Sequence, residues 1–158
     1  MHPDTDEREH AAVVAPPPLI FLSALGVGFW LDRRLGTGSI PAKVRIPVGA
    51  AAVLAGTTLM RSFVQAFRRA GTPLDPYKPS ATMVTDGPYR LSRNPGYLGM
   101  TVTYVGITLL ADAPGALAPL PIALAVLDHG VIVREEQYLE RRFGPSYLEY
   151  KQRVRRWI

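Results

Sequence analysis

Two short clusters of residues in this chain have types and spacings suited to chemistry. The first lies within residues 85–99, TDGPYRLSRNPGYLG, where Arg90 and Arg93 stand between the turns Gly87-Pro88-Tyr89 and Asn94-Pro95-Gly96. Each guanidinium offers a planar fork of donors that matches a carboxylate or a phosphate. Pro88 and Pro95 bias Gly87 and Asn94 away from helix, so the stretch reads as a short bowed loop with exposed backbone amides. Tyr97 and Gly99 then begin a helix, Gly99 permitting a close backbone approach. A bound anionic group would satisfy the arginines, and so would lipid headgroups.

The second cluster is Asp128-His129 with Arg134-Glu135-Glu136. Seven residues separate Asp128 from Glu135 and His129 from Glu136, which places each pair on one helix face two turns apart. Glu136 closes an apolar block, and an ionisable residue at that depth is a functional candidate able to hold an ammonium group. The plainer reading is an ion pair of Glu135 or Glu136 with Arg90, Arg93 or Arg134. His129 reads either as a general base or as a hydrogen-bonded helix residue. No metal site is expected, since the other histidines are His2 and His10 and the chain has no cysteine. The absence of Walker A, G-x-S-x-G and G-x-G-x-x-G elements argues against NTPase, hydrolase and Rossmann chemistry.

The elements that position these clusters are apolar. The chain has 158 residues and a net charge of +5, and its charges avoid four long blocks. The first, 11–31, has a length suited to one bilayer crossing of about 20 residues. Pro16, Pro17 and Pro18 mark its helix start, and Trp30 is an interfacial anchor. The second, 46–64, is interrupted by Arg61, which can snorkel, and its glycines and alanines allow close helix packing. Blocks 97–111 and 116–133 flank the turn 112–115 and should form an antiparallel hairpin. The tail after Phe143-Gly144-Pro145 places Tyr147 or Leu148, Lys151, Val154 and Trp157 at helical spacing. This predicts a cationic amphipathic helix on the headgroup layer, or a cap over a pocket beneath it.

The expected fold is thus all-α and integral to the membrane: one domain over 1–158 with four crossings, the last two a hairpin, and a C-terminal amphipathic helix. Residues 1–10 are polar and expected to fray. Lysine and arginine crowd the 65–94 loop and the tail but are missing from 113–121, which puts the loop and both termini in the cytoplasm. Arg33, Arg34, Lys43 and Arg45 would then face outward, against that rule. No basic recognition motif accompanies the charge, so membrane lipids rather than nucleic acid are the expected polyanion.

Together, GPYRLSRNPGYLG, an apolar hairpin and EEQYLERRFGPSYLEYKQRVRRWI resemble the isoprenylcysteine carboxyl methyltransferase and phospholipid methyltransferase family of small membrane enzymes. The likeness covers roughly residues 82–158; residues 11–64 share only their hydrophobicity with it. It implies a catalytic core over 82–158, S-adenosylmethionine as cofactor and a lipophilic small molecule as methyl acceptor, in a bacterial inner membrane with the site facing the cytoplasm. By position, Arg90, Leu91, Asn94, Pro95, Tyr97, Leu98 and Gly99 would shape the cofactor pocket. Glu136 would take the methionine amino group beside Glu135. Arg93, Asn94 and His129 are the candidate catalytic residues. Family members often carry RHPxY, where this chain has Arg93-Asn94-Pro95-Gly96-Tyr97; Asn94 cannot titrate, so a base would have to be His129 or a tyrosine. A carboxylate acceptor needs none. A nicotinamide-dependent membrane reductase and a non-catalytic lipid-binding protein are the alternative readings.

Overall fold

Proline and glycine set the ends of nearly every helix. In a computed structural model, which describes residues 14–73 and 82–158, α1 runs Pro17–Leu35 with proline at its start and Gly36 in the left-handed conformation at its end. Helix α2, Ala42–Ala70, starts after Pro41 and stops at left-handed Gly71, the usual role of a glycine with no Cβ to strain. A 3-10 turn, Gly87–Arg90, leads into α3, Pro95–Leu110. A single rod then follows, assigned in pieces: a 3-10 turn Pro114–Leu117, α4 Leu120–Leu127, a π segment Asp128–Ile132 and α5 Val133–Phe143. Gly144 breaks it, and α6 spans Pro145–Arg153. All regular structure among the described residues is helical.

Several boundaries differ from the sequence reading. Helix α1 carries Asp32, Arg33 and Arg34 inside its last turn instead of stopping at Leu31. Helix α2 begins before Ile46 and runs to Arg68 and Arg69 with Pro47 inside it, no proline or glycine standing between Gly56 and Gly71. The fourth block runs on into the charged segment after Val133, as its sequence reads. The expected starts at residues 1–13 and the Pro76–Pro79 connector lie outside the described residues.

Among the described residues two helices are long and apolar enough to cross a membrane, Ala42–Ala70 and the rod Pro114–Phe143. Only 11% of the most apolar stretch of α2 is buried within the protein, and Ile46, Val48 and Leu54 are exposed along it. A core helix of a water-soluble protein would show the reverse, and so large an apolar exposure marks a lipid- or protein-facing surface. Helix α3 has 16 residues, which rise about 24 Å, less than the ~30 Å of a hydrocarbon core.

Helices α2 and α3 run antiparallel along a glycine seam. A Cβ on Gly49 would come within 3.0 Å of the Gly106 carbonyl, and one on Gly56 within 2.6 Å of the Gly99 carbonyl. The seven-residue spacing on both helices aligns these pairs, so two backbones meet where side chains would hold them apart. Helix α1 packs instead on the start of the rod, Gly28 lying against the Ala116 backbone. Phe21 and Ala24 of α1, Tyr104 of α3, and Leu120, Ala123, Leu127, Val131 and Ile132 of the rod form the buried core. The Tyr104 hydroxyl donates to the Ala116 carbonyl at 2.6 Å, satisfying a polar atom that burial would otherwise penalise.

Candidate functional site

The residues 85–94 loop is fixed from two sides. Tyr89 stacks its ring near Phe63 and Phe67 at the end of α2, with centroids 6.2 and 6.0 Å away. From the other side comes the tail after α6. Helix α6 ends at Arg153 and Val154 turns extended, so Trp157 does not continue the helical spacing. The Arg155 carbonyl accepts the Arg93 amide at 2.9 Å. The Arg156 carbonyl accepts from the Asn94 amide side chain at 3.0 Å and from the Ser92 hydroxyl at 3.1 Å. The loop amides expected to be exposed are thus taken: that of Arg93 by the tail, that of Asn94 by Ser92 Oγ at 3.1 Å. Trp157 packs on the core, and Tyr147 and Tyr150 of α6 are buried. The residues after α6 thus cap the loop, the second of the two expected roles, and the expected C-terminal helix is confined to Pro145–Arg153.

Beneath this cap lies a charge cluster. Glu136, buried on α5, receives Arg93 Nη2 on Oε1 at 3.2 Å. Arg156 approaches the same carboxylate with Nε at 3.1 Å from Oε1 and Nη2 at 2.7 Å from Oε2, while its Nη1 reaches both oxygens of Asp128 at 3.2 and 3.1 Å. Lys151 Nζ stands 3.8 Å from Glu136 and also pairs with Glu140. The hydrogen bond to Glu136, with the charges of Glu136 and Asp128, raises the Arg156 pKa above its ordinary value against the cost of burial. Burial pushes the Tyr147 and Tyr150 phenols well above theirs.

The π segment decides which residues face this cluster. A π turn takes about 4.4 residues where an α turn takes 3.6, so two turns across it span about eight residues instead of seven. Asp128 therefore shares a face with Glu136, and Arg156 binds them together. The expected pairs Asp128–Glu135 and His129–Glu136 do not form. His129 is exposed and its Nδ1 lies 2.9 Å from the Ala125 carbonyl. Glu135, rotated away from the cluster, accepts the Tyr97 hydroxyl at 2.7 Å.

Arg93 is the least satisfied member. Its side chain is only 9% exposed, yet among the described residues neither Nε nor Nη1 meets a hydrogen-bond acceptor. Buried donors are rarely left so, and a guanidinium with an open edge suits a carboxylate. The cluster thus combines an acidic pair with a half-used arginine, a donor set fitted to a molecule carrying both an ammonium and a carboxylate.

The other candidates fall into distinct places. Pro95 is buried at the start of α3. Gly99 faces the Gly56 carbonyl and Met60 of α2, so its small size serves helix packing. Leu98 is half-buried. Arg90 is exposed and pairs with Asp86 at 3.0 Å, and Leu91 is 60% exposed. Sequence reasoning did not single out Arg156 or Ser92, and it placed Lys151 only by its helical spacing in the tail. Nothing in RVRRWI separates inward Arg156 from exposed Arg155. The helix-weak trio Asp128-His129-Gly130 was the available sign of an irregular turn.

A family model described as phospholipid methyltransferase matches residues 44–146. An uncharacterized protein of Haemophilus influenzae is 39% identical over 62 residues, 39% of this chain and 98% of that protein. A probable protein-S-isoprenylcysteine O-methyltransferase of Oryza sativa subsp. indica is 33% identical over 101 residues, 64% of this chain and 50% of that protein. Protein-S-isoprenylcysteine O-methyltransferase B of Arabidopsis thaliana is 33% identical over 72 residues, 46% of this chain and 36% of that protein. The chain therefore spans half or less of these two plant proteins. No solved structure gives a significant match.

Proposed function

Because the chain belongs to the phospholipid methyltransferase family, we propose that it is a membrane methyltransferase that takes its methyl group from S-adenosylmethionine and passes it to a lipophilic acceptor. The observation that carries this reading is Arg93, buried beside Glu136 with two donors unpartnered. The amino-acid end of the methyl donor is a zwitterion. Glu136, with Asp128 beside it, matches the ammonium, and the open edge of Arg93 matches the carboxylate. Tyr97, held by Glu135 at 2.7 Å, and Asn94, held by the tail, would shape the remaining wall with Pro95 and Leu98.

When bound, the cofactor supplies an electrophilic methyl group on a sulfonium. The protein's task is then to hold donor and acceptor in line, and positioning accounts for much of such a rate enhancement. Arg93 and Glu136 orient the donor, and buried Tyr147 and Tyr150 of α6 exclude water. Among the described residues no histidine joins the cluster, and a carboxylate acceptor needs no general base.

The same reading takes the chain as one domain with four crossings: two from residues 11–64, then a hairpin within the 82–158 core. The basic residues of the 65–94 loop and of the tail support a core on the cytoplasmic side of a bacterial inner membrane. Calorimetry on the detergent-solubilised protein tests the cofactor: S-adenosylhomocysteine should bind, and absence of binding refutes the reading. Membrane lipid extracts incubated with radiolabelled methyl donor should then yield one labelled lipophilic product.

A further inference from the structure

The cluster already contains a cation in the position the proposed ligand's ammonium needs. Arg156 contacts Glu136 through two nitrogens and Asp128 through a third, so the acidic pair is saturated by the protein's own tail. We infer that Arg156 is a latch: it holds the acidic pair in competition with a cationic ligand, and the tail must lift for that ligand to enter. This rests on the methyl-donor reading and adds a control of the same site.

Three features favour a latch over a permanent strut. First, Arg156 sits in an extended segment beyond the last helix, anchored to the loop by hydrogen bonds through the Arg155 and Arg156 carbonyls. These bonds can break without unwinding a helix. Second, its side chain remains 31% exposed while Glu136 is 7% exposed and Arg93 9%. The mobile partner is thus the outer one. Third, Arg93 keeps Glu136 paired after Arg156 leaves, so opening does not strand a buried charge. Meanwhile the unpartnered edge of Arg93 offers an incoming ligand a contact that the tail does not supply.

A site populated mainly in its closed form binds more weakly in proportion to the open fraction, so removing a latch that holds about nine molecules in ten closed tightens binding about tenfold. In detergent, Arg156→Gln should bind S-adenosylhomocysteine about tenfold more tightly than wild type by calorimetry. Ser92→Ala, which removes one hydrogen bond holding the Arg156 carbonyl and leaves Glu136, Asp128 and Arg93 in place, should tighten it about threefold; it decides the matter if Arg156→Gln does not fold. Unchanged or weaker binding in the variants overturns the latch while wild-type binding upholds the methyl-donor reading. No binding by any of the three proteins sinks both.

Trp157 gives a second readout. The chain has two tryptophans, so in a Trp30→Phe protein Trp157 reports alone. Adding S-adenosylhomocysteine should shift its emission and increase its quenching by iodide as the tail lifts. A spectrum and quenching unmoved by saturating ligand overturn the proposal.

Discussion

The two ends of the helical bundle are both built on carboxylates, yet they use them differently. At one end Asp32 and Asp112 tie connections together. Asp32 accepts the Gly115 amide at 2.9 Å and the Thr37 hydroxyl. Asp112 accepts the Ile40 amide at 2.9 Å and the Ser39 hydroxyl, with Arg45 3.6 Å away. Arg45 also donates to the Leu110 carbonyl at 3.0 Å, which accounts for one arginine on the side where few were expected. Here half-buried acids meet mostly neutral loop donors, as in an ordinary clasp. At the other end buried Glu136 draws two arginines and a lysine, and one of those arginines keeps two donors idle. The first arrangement leaves one buried donor idle, Arg45 Nε, 3.6 Å from Asp112; the second leaves two on Arg93. The depth of the carboxylate and the number of idle donors around it, more than the number of charges, separate the two ends.

Breaking the richer end should cost most. Glu136→Ala leaves Arg93 buried and unpaired, a loss of about 3–5 kcal/mol for such a pair, and should weaken S-adenosylhomocysteine binding at least ~100-fold. Asp112→Asn at the other end should change that affinity less than about twofold, since it touches no ligand-facing group. Equal effects would dissolve the contrast. Within the cationic side, Arg93→Ala should lower affinity by about 10- to 100-fold, in keeping with ~1.5–3 kcal/mol for a hydrogen bond to a charged group. Exposed Arg69→Ala should have almost no effect in the same binding measurement. Between the ends, Gly56→Val forces the α2–α3 seam apart and should cost about 1–3 kcal/mol in denaturant unfolding.

The smallest effects are those of pH, and their signs oppose. Hydrogen bonds from Ser39 and Ile40, with Arg45, hold the Asp112 carboxyl below its ordinary 3.8. Its contribution to stability is full above 3.8 and is lost as pH falls through the lowered folded value. Burial raises the Tyr147 and Tyr150 phenols above 10.0, so their contribution is full below 10.0 and is lost as pH rises beyond it. Hydrogen exchange should therefore show the 36–41 connection loosening first in acid and α6 first in alkali. The reverse order would show that these groups do not govern the two ends.

Much of the fold was legible because it follows from local rules. Prolines 17 and 95 and glycines 36, 71 and 144 fall at helix ends as expected of residues with fixed or permissive backbones. Pairing of the Arg93 loop with Glu136 was among the readings open in the sequence, since both carry complementary groups beside apolar blocks. The π segment was not, and it overturned the pairs built on seven-residue spacing. Weak helix formers at Asp128-His129-Gly130 permit an irregular turn without specifying one, and a period drawn from 3.6 residues per turn fails across it. The tail was misread for a similar reason. Its spacing permits an amphipathic helix through Trp157, but hydrogen bonds from Arg93, Ser92 and Asn94 hold residues 155 and 156 extended.

The sequence by itself determined that this is a helical protein with apolar surfaces, where its turns fall, and that arginines and glutamates meet beside them. Those outcomes depend on hydrophobicity, backbone freedom and charge, all local properties. Only the tertiary structure decided that Asp128 and not His129 joins Glu136, that Arg156 fills the acidic pair, and that Arg93 keeps an open edge. Such choices arise from helix phase and from contacts between segments far apart in the chain, and no single stretch of residues contains them.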